Sequence, residues 1–168
     1  GGPERVVRMV RQAVGDRDVE QVDSSEENKM MEAENEEEAY EEIGKELKIK
    51  PVKISSGPKG LKFEKMVFDQ ESQVAELFYN YNKKTMAYFI NAAYMDSSFG
   101  INVDDKKMGE YEKIIKDHTI TIKKYQEKET MESRYTASFS EKGIEYYLIG
   151  TMKEEEFEKI LNNLFFSK

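Results

Sequence analysis

The chain has no cysteine, no tryptophan and a single histidine among its 168 residues. Without cysteine there can be no disulfide bond, no thiolate catalysis and no cysteine-ligated zinc or iron site, although the absence does not identify a cellular compartment. With His118 as the one histidine, a histidine-rich metal centre is also excluded. We therefore expect no transition-metal site and no cofactor.

Long apolar runs are missing as well. No stretch approaches the roughly 18 apolar residues that a membrane-spanning helix needs. The chain begins with Gly-Gly-Pro and not with Met, so we expect the natural start, with any signal or anchor segment, to lie upstream. The membrane would then be reached only through that missing upstream anchor.

Positive charge is in short supply. The chain has 26 Lys and Arg against 34 Asp and Glu, which gives a formal net charge of −8. A nucleic-acid-binding protein needs a net basic face that displaces counterions from phosphates, and anionic lipid attracts clusters of basic residues. The negative net charge argues against nucleic acid and against anionic lipid as partners.

What the chain does have is a long alternating pattern followed by a helical one. From Leu61 to Gly150 apolar residues recur at every second position, and nine Phe and ten Tyr supply a core. At Thr151 the period becomes helical. This predicts an α+β fold with one antiparallel meander sheet of five to seven strands between Val52 and Gly150. Helices over Glu37–Lys48 and Lys153–Phe166 would pack against it.

The N-terminal part reads differently from the rest. Glu4 to Val14 has the spacing of a short helix, and Glu26 to Glu38 is acidic with few apolar residues, which is typical of an exposed, frayed helix. We divide the chain into an N-terminal helical or linker segment, residues 1–36, and an α+β domain, residues 37–168.

Local signals predict three hairpins and one helix cap. The hairpins turn at Asn82-Lys83-Lys84, at Lys116-Asp117 and at Glu141-Lys142-Gly143. An irregularity is expected near Lys65 in the first long strand. Thr151 and Glu154 have the T-x-x-E spacing of a capping box at the start of the last helix.

Candidates for catalysis are few and isolated. His118 lies in a predicted turn, and Ser97, Ser98 or Ser140 would have to serve as its nucleophile partner without any nucleophile-elbow motif around them. The adjacent acids Asp104 and Asp105 could serve a hydrolase, but paired acids in a polar loop usually face solvent. No phosphate-binding glycine motif occurs. We assign no catalytic residue.

Aromatic residues on the first hairpin are the candidate binding residues. Tyr79 and Tyr88 share a strand face with Leu77, whereas Phe78 and Phe89 lie on the other face. A sheet covered by helices on one side leaves the second face free. We therefore expect one of the two sets to form an exposed patch for a peptide, a polymer chain or a second protein, unless the N-terminal helices cover it.

The order of these segments resembles a known family. Ala39-Tyr40-Glu41-Glu42-Ile43-Gly44-Lys45-Glu46-Leu47, the turn Pro58-Lys59-Gly60-Leu61, the strand Gly143 to Gly150 and the closing helix Glu156 to Leu164 carry the likeness. The chain is similar here to the domain-of-unknown-function 4367 family of Gram-positive bacteria. The resemblance covers roughly Glu37 to Phe166.

The resemblance implies a place for the domain and no chemistry. Such domains usually lie outside the membrane after a single transmembrane helix, and some follow a cytoplasmic anti-sigma-factor segment. We expect a non-enzymatic, extracytoplasmic sensor or binding domain of a membrane-anchored protein, with a protein or envelope component as ligand. The alternatives are a secreted or lipoprotein accessory domain that binds envelope polymer or peptide, and a hydrolase that uses Asp104, Asp105 or His118.

Overall fold

In the computed structural model, residues 30–92 and 105–168 are described. They contain ten strands and two helices. In chain order these are β1 (Met30–Ala33), α1 (Glu36–Leu47), β2 (Lys53–Ile54), β3 (Lys62–Asp69), β4 (Val74–Tyr81), β5 (Lys84–Ile90), β6 (Lys106–Ile115), β7 (His118–Gln126), β8 (Ser133–Glu141), β9 (Ile144–Thr151), α2 (Glu154–Asn162) and β10 (Leu164–Phe165).

Eight of the strands form one antiparallel sheet in the order β1-β3-β4-β5-β9-β8-β7-β6. The α+β class and the antiparallel sheet are confirmed, but the sheet has more strands than predicted. Seven of its strands form two meanders, β3-β4-β5 and β6-β7-β8-β9, which join where β5 pairs with β9. Strand β1 pairs with the outer edge of β3. Strands β2 and β10 form a separate two-stranded pair.

The three tight hairpins turn where the sequence places them. Asn82 and Lys83 have φ of 52° and 66°, Lys116 and Asp117 have φ of 50° and 66°, and the third turn has positive φ at Lys142 and at its glycine. Two consecutive positive-φ residues match the right-handed twist of the flanking strands in a two-residue hairpin. The predicted irregularity is also present, since the register of β3 against β4 shifts between Phe63 and Lys65.

Strand β1 corrects the sequence-based prediction for its segment. Met30 to Ala33 were expected in an exposed helix, but they form a strand that pairs with β3. Met30 lies opposite Asp69, and Ala33 lies opposite Met66. The alternation of Met31 and Ala33 toward the core outweighs the helical propensity of the acidic residues around them. The predicted helix over Glu4 to Val14 lies outside the described residues.

Helix α1 forms within one residue of its predicted bounds. The Asn35 side chain accepts a hydrogen bond from the Glu38 amide at 3.1 Å, which caps the first turn. The helix ends as Lys48 takes a left-handed conformation and donates its amide to the Gly44 carbonyl. Its buried residues, Ala39, Tyr40 and Ile43, belong to the main core.

Helix α2 is shorter than predicted. Thr151 is the last residue of β9, so it does not begin the helix. The cap lies two residues later, where the Glu156 carboxylate accepts the Lys153 amide at 2.9 Å. The helix ends at Asn162, and Leu164 and Phe165 form strand β10. Phe157, Ile160, Leu161 and Leu164 are buried as expected, but Phe165 is 51% exposed.

A chain of tyrosine hydroxyls binds α1 and β2 to the sheet. Tyr79 donates to Glu36 at 2.5 Å, and its oxygen lies 3.0 Å from that of Tyr40. Tyr40 accepts the Ile54 amide at 3.0 Å, and Tyr88 donates to the Val52 carbonyl at 2.7 Å. These bonds satisfy polar groups that would otherwise be costly to bury.

Candidate functional site

A cavity of about 390 Å³ opens where the β4–β5 turn, the start of β8 and the β9–α2 junction meet. Its lining includes two carboxylates, two ammonium groups and three hydroxyls. The lining residues are Tyr81, Asn82, Lys84, Glu132, Ser133, Thr151, Met152, Lys153 and Glu156. Concave sites of this size, with a few convergent polar groups, are typical of small-molecule binding.

One wall of the cavity is an ion pair between two elements. The two-residue turn at Asn82 and Lys83 directs the chain back so that Lys84 begins β5. Its ammonium lies 2.7 Å from the Glu132 carboxylate, just before β8, and both side chains are 37% exposed. The hydrogen bond from Lys84 holds the pKa of Glu132 below its usual range, so this carboxylate is charged at neutral pH.

The opposite wall is the first turn of α2. The Tyr81 hydroxyl donates to Glu156 at 2.5 Å, and the Lys153 amide donates to the same carboxylate at 2.9 Å. Burial acts to raise the pKa of Glu156, but the bonds from Tyr81 and Lys153 outweigh it, and the pKa lies below its usual range. The bond to Glu156 in turn raises the pKa of Tyr81. The result is a fixed, ionised carboxylate at the cavity wall.

Beneath the cavity lies a buried charge cluster centred on Arg134. Its Nε donates to Thr151 Oγ1 at 3.1 Å, and Nη1 donates to both Asp105 oxygens at 3.0 and 2.8 Å. Nη2 donates to Glu127. The Arg134 and Asp105 side chains are 4% and 1% exposed. Thr151 therefore links this cluster to the cavity lining.

The family model described as "Domain of unknown function (DUF4367)" matches residues 51–164, about two thirds of the chain. The chain belongs to the DUF4367 family. The match includes every residue of the cavity lining, whereas β1 and α1 precede it. Comparisons with curated proteins and with solved structures found no match.

The DUF4367 domain buries both predicted sets of aromatic residues. Tyr79 and Tyr88 lie in the core under the two helices, at 2% and 0% exposure. Burial raises the pKa of both hydroxyls well above the usual range. Their hydroxyls are occupied in the tyrosine network, so in this structure they hold the fold together and do not face solvent.

The second set lies on the other face and is buried too. Phe78 is 2% and Phe89 0% exposed, although neither belongs to the core cluster that contains the helices. The Phe89 ring lies 6.3 Å from that of Tyr147. These four side chains therefore form no exposed aromatic patch. A binding role for these four residues stays a prediction.

The catalytic candidates are held in structural contacts. Both ring nitrogens of His118 are engaged, Nδ1 with the Lys116 carbonyl at 2.7 Å and Nε2 with Glu141 at 3.1 Å. The ring stacks on Phe166 at 3.9 Å between centroids. Ser140 is exposed, and strand alternation directs it to the face opposite its neighbour Glu141, and so away from His118. No serine–histidine pair forms there.

The acidic pair is divided between the described and the undescribed parts of the chain. Asp105 is committed to Arg134, as given above, and Asp104, Ser97 and Ser98 lie outside the described residues. Within residues 30–92 and 105–168, no group of three or more His, Asp or Glu side chains is placed to hold a metal ion. In the same ranges, no helix is long and apolar enough to cross a membrane.

No sequence motif marks the cavity, so it could not be predicted from the chain. Its walls come from residues 81–84, 132–133 and 151–156, which alternation and turn signals assign only to separate strands. One signal was available. Glu156 lies in the first turn of a helix that directly follows a strand, and a carboxylate there caps the helix.

Proposed function

We propose that this DUF4367 domain is a non-enzymatic binding module with the cavity as its ligand site. It would act as the extracytoplasmic sensor or binding domain of a membrane-anchored protein. The cavity carries this proposal, because it brings charged and neutral polar groups from three elements around one space of about 390 Å³.

The contacts that position the wall side chains support binding. A tight turn and a paired ammonium position the Lys84 side, and a helix cap with a tyrosine bond positions the Glu156 side. Polar groups that are already oriented lose little conformational entropy when a ligand arrives. A small polar molecule, or the end of a larger peptide or polymer, suits such a lining.

The contacts of the catalytic candidates favour binding over hydrolysis. A general acid or base must reach the substrate with a free lone pair or proton. Asp105 accepts two bonds from a buried arginine, and His118 has both nitrogens engaged under a stacked ring. Breaking these contacts would cost stability before any chemistry could begin.

Binding is tested with the ¹⁵N-labelled chain and a soluble digest of bacterial cell wall. We expect amide signals of the cavity residues to shift, and Ser133→Trp, which fills the cavity, to abolish the shifts. Ser140→Trp is the matched control, since it places the same ring on an exposed site of the same strand. Equal shifts in both variants, or shifts confined to other surfaces, would contradict the proposed site.

Location is tested on the complete gene. A reporter enzyme that is active only outside the cytoplasm, fused after the last residue, should be active and should fractionate with membranes. Reporter activity released into the medium would instead favour the secreted accessory domain. Activity of a cytoplasmic reporter at the same position would contradict both.

A further inference from the structure

Glu156 differs from the other acids around the cavity in what holds it. Its partners are the Tyr81 hydroxyl and the Lys153 backbone amide, which are both neutral donors. Within residues 30–92 and 105–168, no ion pair to Glu156 is formed. It is a half-buried carboxylate whose negative charge is hydrogen-bonded and is attracted by the Lys153 ammonium without an ion-pair contact.

Neighbouring carboxylates are neutralised by a cation. Glu132 pairs with Lys84 at 2.7 Å, and Glu158, one turn of helix after Glu154, pairs with Lys113 at 2.8 Å. The Lys84 charge is therefore already committed. Glu156 is ionised and has no cation in contact with it among the described residues, so a cationic ligand group can form a charge-assisted hydrogen bond with it.

We propose that the cavity binds its ligand through a protonated primary amine, with Glu156 as the counter-ion. The inference rests on the proposed binding function and names the ligand chemistry. Tyr81 and the Lys153 amide hold the carboxylate in one orientation, and Asn82 and Ser133 supply neutral polar atoms in the same lining. The net charge of −8 adds a field that attracts cations.

The amine is tested with two matched pairs of probes. Glucosamine is compared with N-acetylglucosamine, and glycinamide with N-acetylglycinamide, by titration into the ¹⁵N-labelled chain. We expect each amine to bind about tenfold or more tightly than its acetylated partner, the ratio expected for a charge-assisted hydrogen bond. Preference for the sugar or for the amino-acid amide identifies the source of the amine.

The counter-ion is tested with Glu156→Gln, which keeps one oxygen to accept the Lys153 amide and places an amide NH2 group opposite the Tyr81 hydroxyl, whose oxygen can accept from it. The variant should lose the preference for the amine while Ser133→Trp loses all binding. Glu155→Gln, an exposed acid in the same turn, is the matched control and should bind like the parent. Equal binding of amine and acetylated probe, no binding of either amine, or an unchanged preference in Glu156→Gln overturns the inference.

The two proposals fail in different ways. If Ser133→Trp blocks the shifts caused by the wall digest but Glu156→Gln leaves binding unchanged, the binding function stands and the amine does not. If neither the digest nor any probe shifts cavity signals, both fall.

Discussion

Removing the Asp105 carboxylate should destabilise the fold more than breaking any exposed ion pair. Asp105 lies at 1% exposure and Arg134 at 4%, and two bonds of 3.0 and 2.8 Å join them. Asp105→Ala leaves the guanidinium buried with one of its counter-ions gone. The guanidinium cannot lose its proton to escape this cost, because arginine stays protonated in proteins.

The magnitude follows from the burial. Breaking one partner of a buried ion pair costs about 3–5 kcal/mol in the free energy of unfolding. Asp105→Asn loses the charge and one of the two acceptor oxygens but keeps one neutral acceptor for Arg134, so a smaller cost of about 1.5–3 kcal/mol is expected. Asn should therefore fall between the parent and Ala.

The assay is urea unfolding followed by circular dichroism. With a urea dependence of roughly 2 kcal/mol per molar, Asp105→Ala should lower the midpoint by about 1.5–2.5 M. Glu110→Gln is the control, because it breaks the Lys107–Glu110 pair, whose side chains are 49% and 46% exposed, and should leave the midpoint unchanged. If both variants shift the midpoint equally, the reasoning from burial is refuted.

Two further predictions use the same unfolding assay. Phe157→Ala should cost about 3–5 kcal/mol, because the ring is fully buried and stacks on Tyr135 at 5.5 Å. Phe165→Ala, at 51% exposure, should stay within about 0.5 kcal/mol, and a similar cost for both would contradict the placement of α2. The bonds from Lys113 and Tyr111 lower the pKa of Glu158. The contribution of this carboxylate to the free energy of unfolding is therefore present above about pH 4.5 and is lost as the pH falls through the lowered pKa. Glu158→Gln should therefore lose less stability than the parent between roughly pH 5 and pH 3. If the unfolding free energies of variant and parent fall equally over this range, the contribution of the Glu158 ion pair is contradicted.

The local structure of most strands was readable from the chain. Alternation of residues such as Leu77 and Tyr79 depends only on the period-two geometry of a strand, and the turns at Asn82-Lys83 and Lys116-Asp117 depend on a few neighbouring residues. Helix α1 was predicted within one residue at each end, because its apolar stripe and its termination are local as well.

Pairing between distant strands was not readable. The residues around Ile90 and Tyr146 do not predict that β5 pairs with β9, because every strand edge offers the same backbone groups. The pairing of β1 with β3 brings Ala33 opposite Met66, and this overrode an acidic segment that resembled an exposed helix.

The sequence by itself determined the α+β class, the three hairpins and the family, since these depend on periodicity, turn chemistry and the order of segments. Only the tertiary structure decided which groups share a space. It placed Tyr81, Lys84 and Glu156 around one cavity and committed Asp105 to Arg134. It also buried Phe78 along with Tyr79. Alternation says which residues share a face, but what covers a face depends on contacts between segments far apart in the chain.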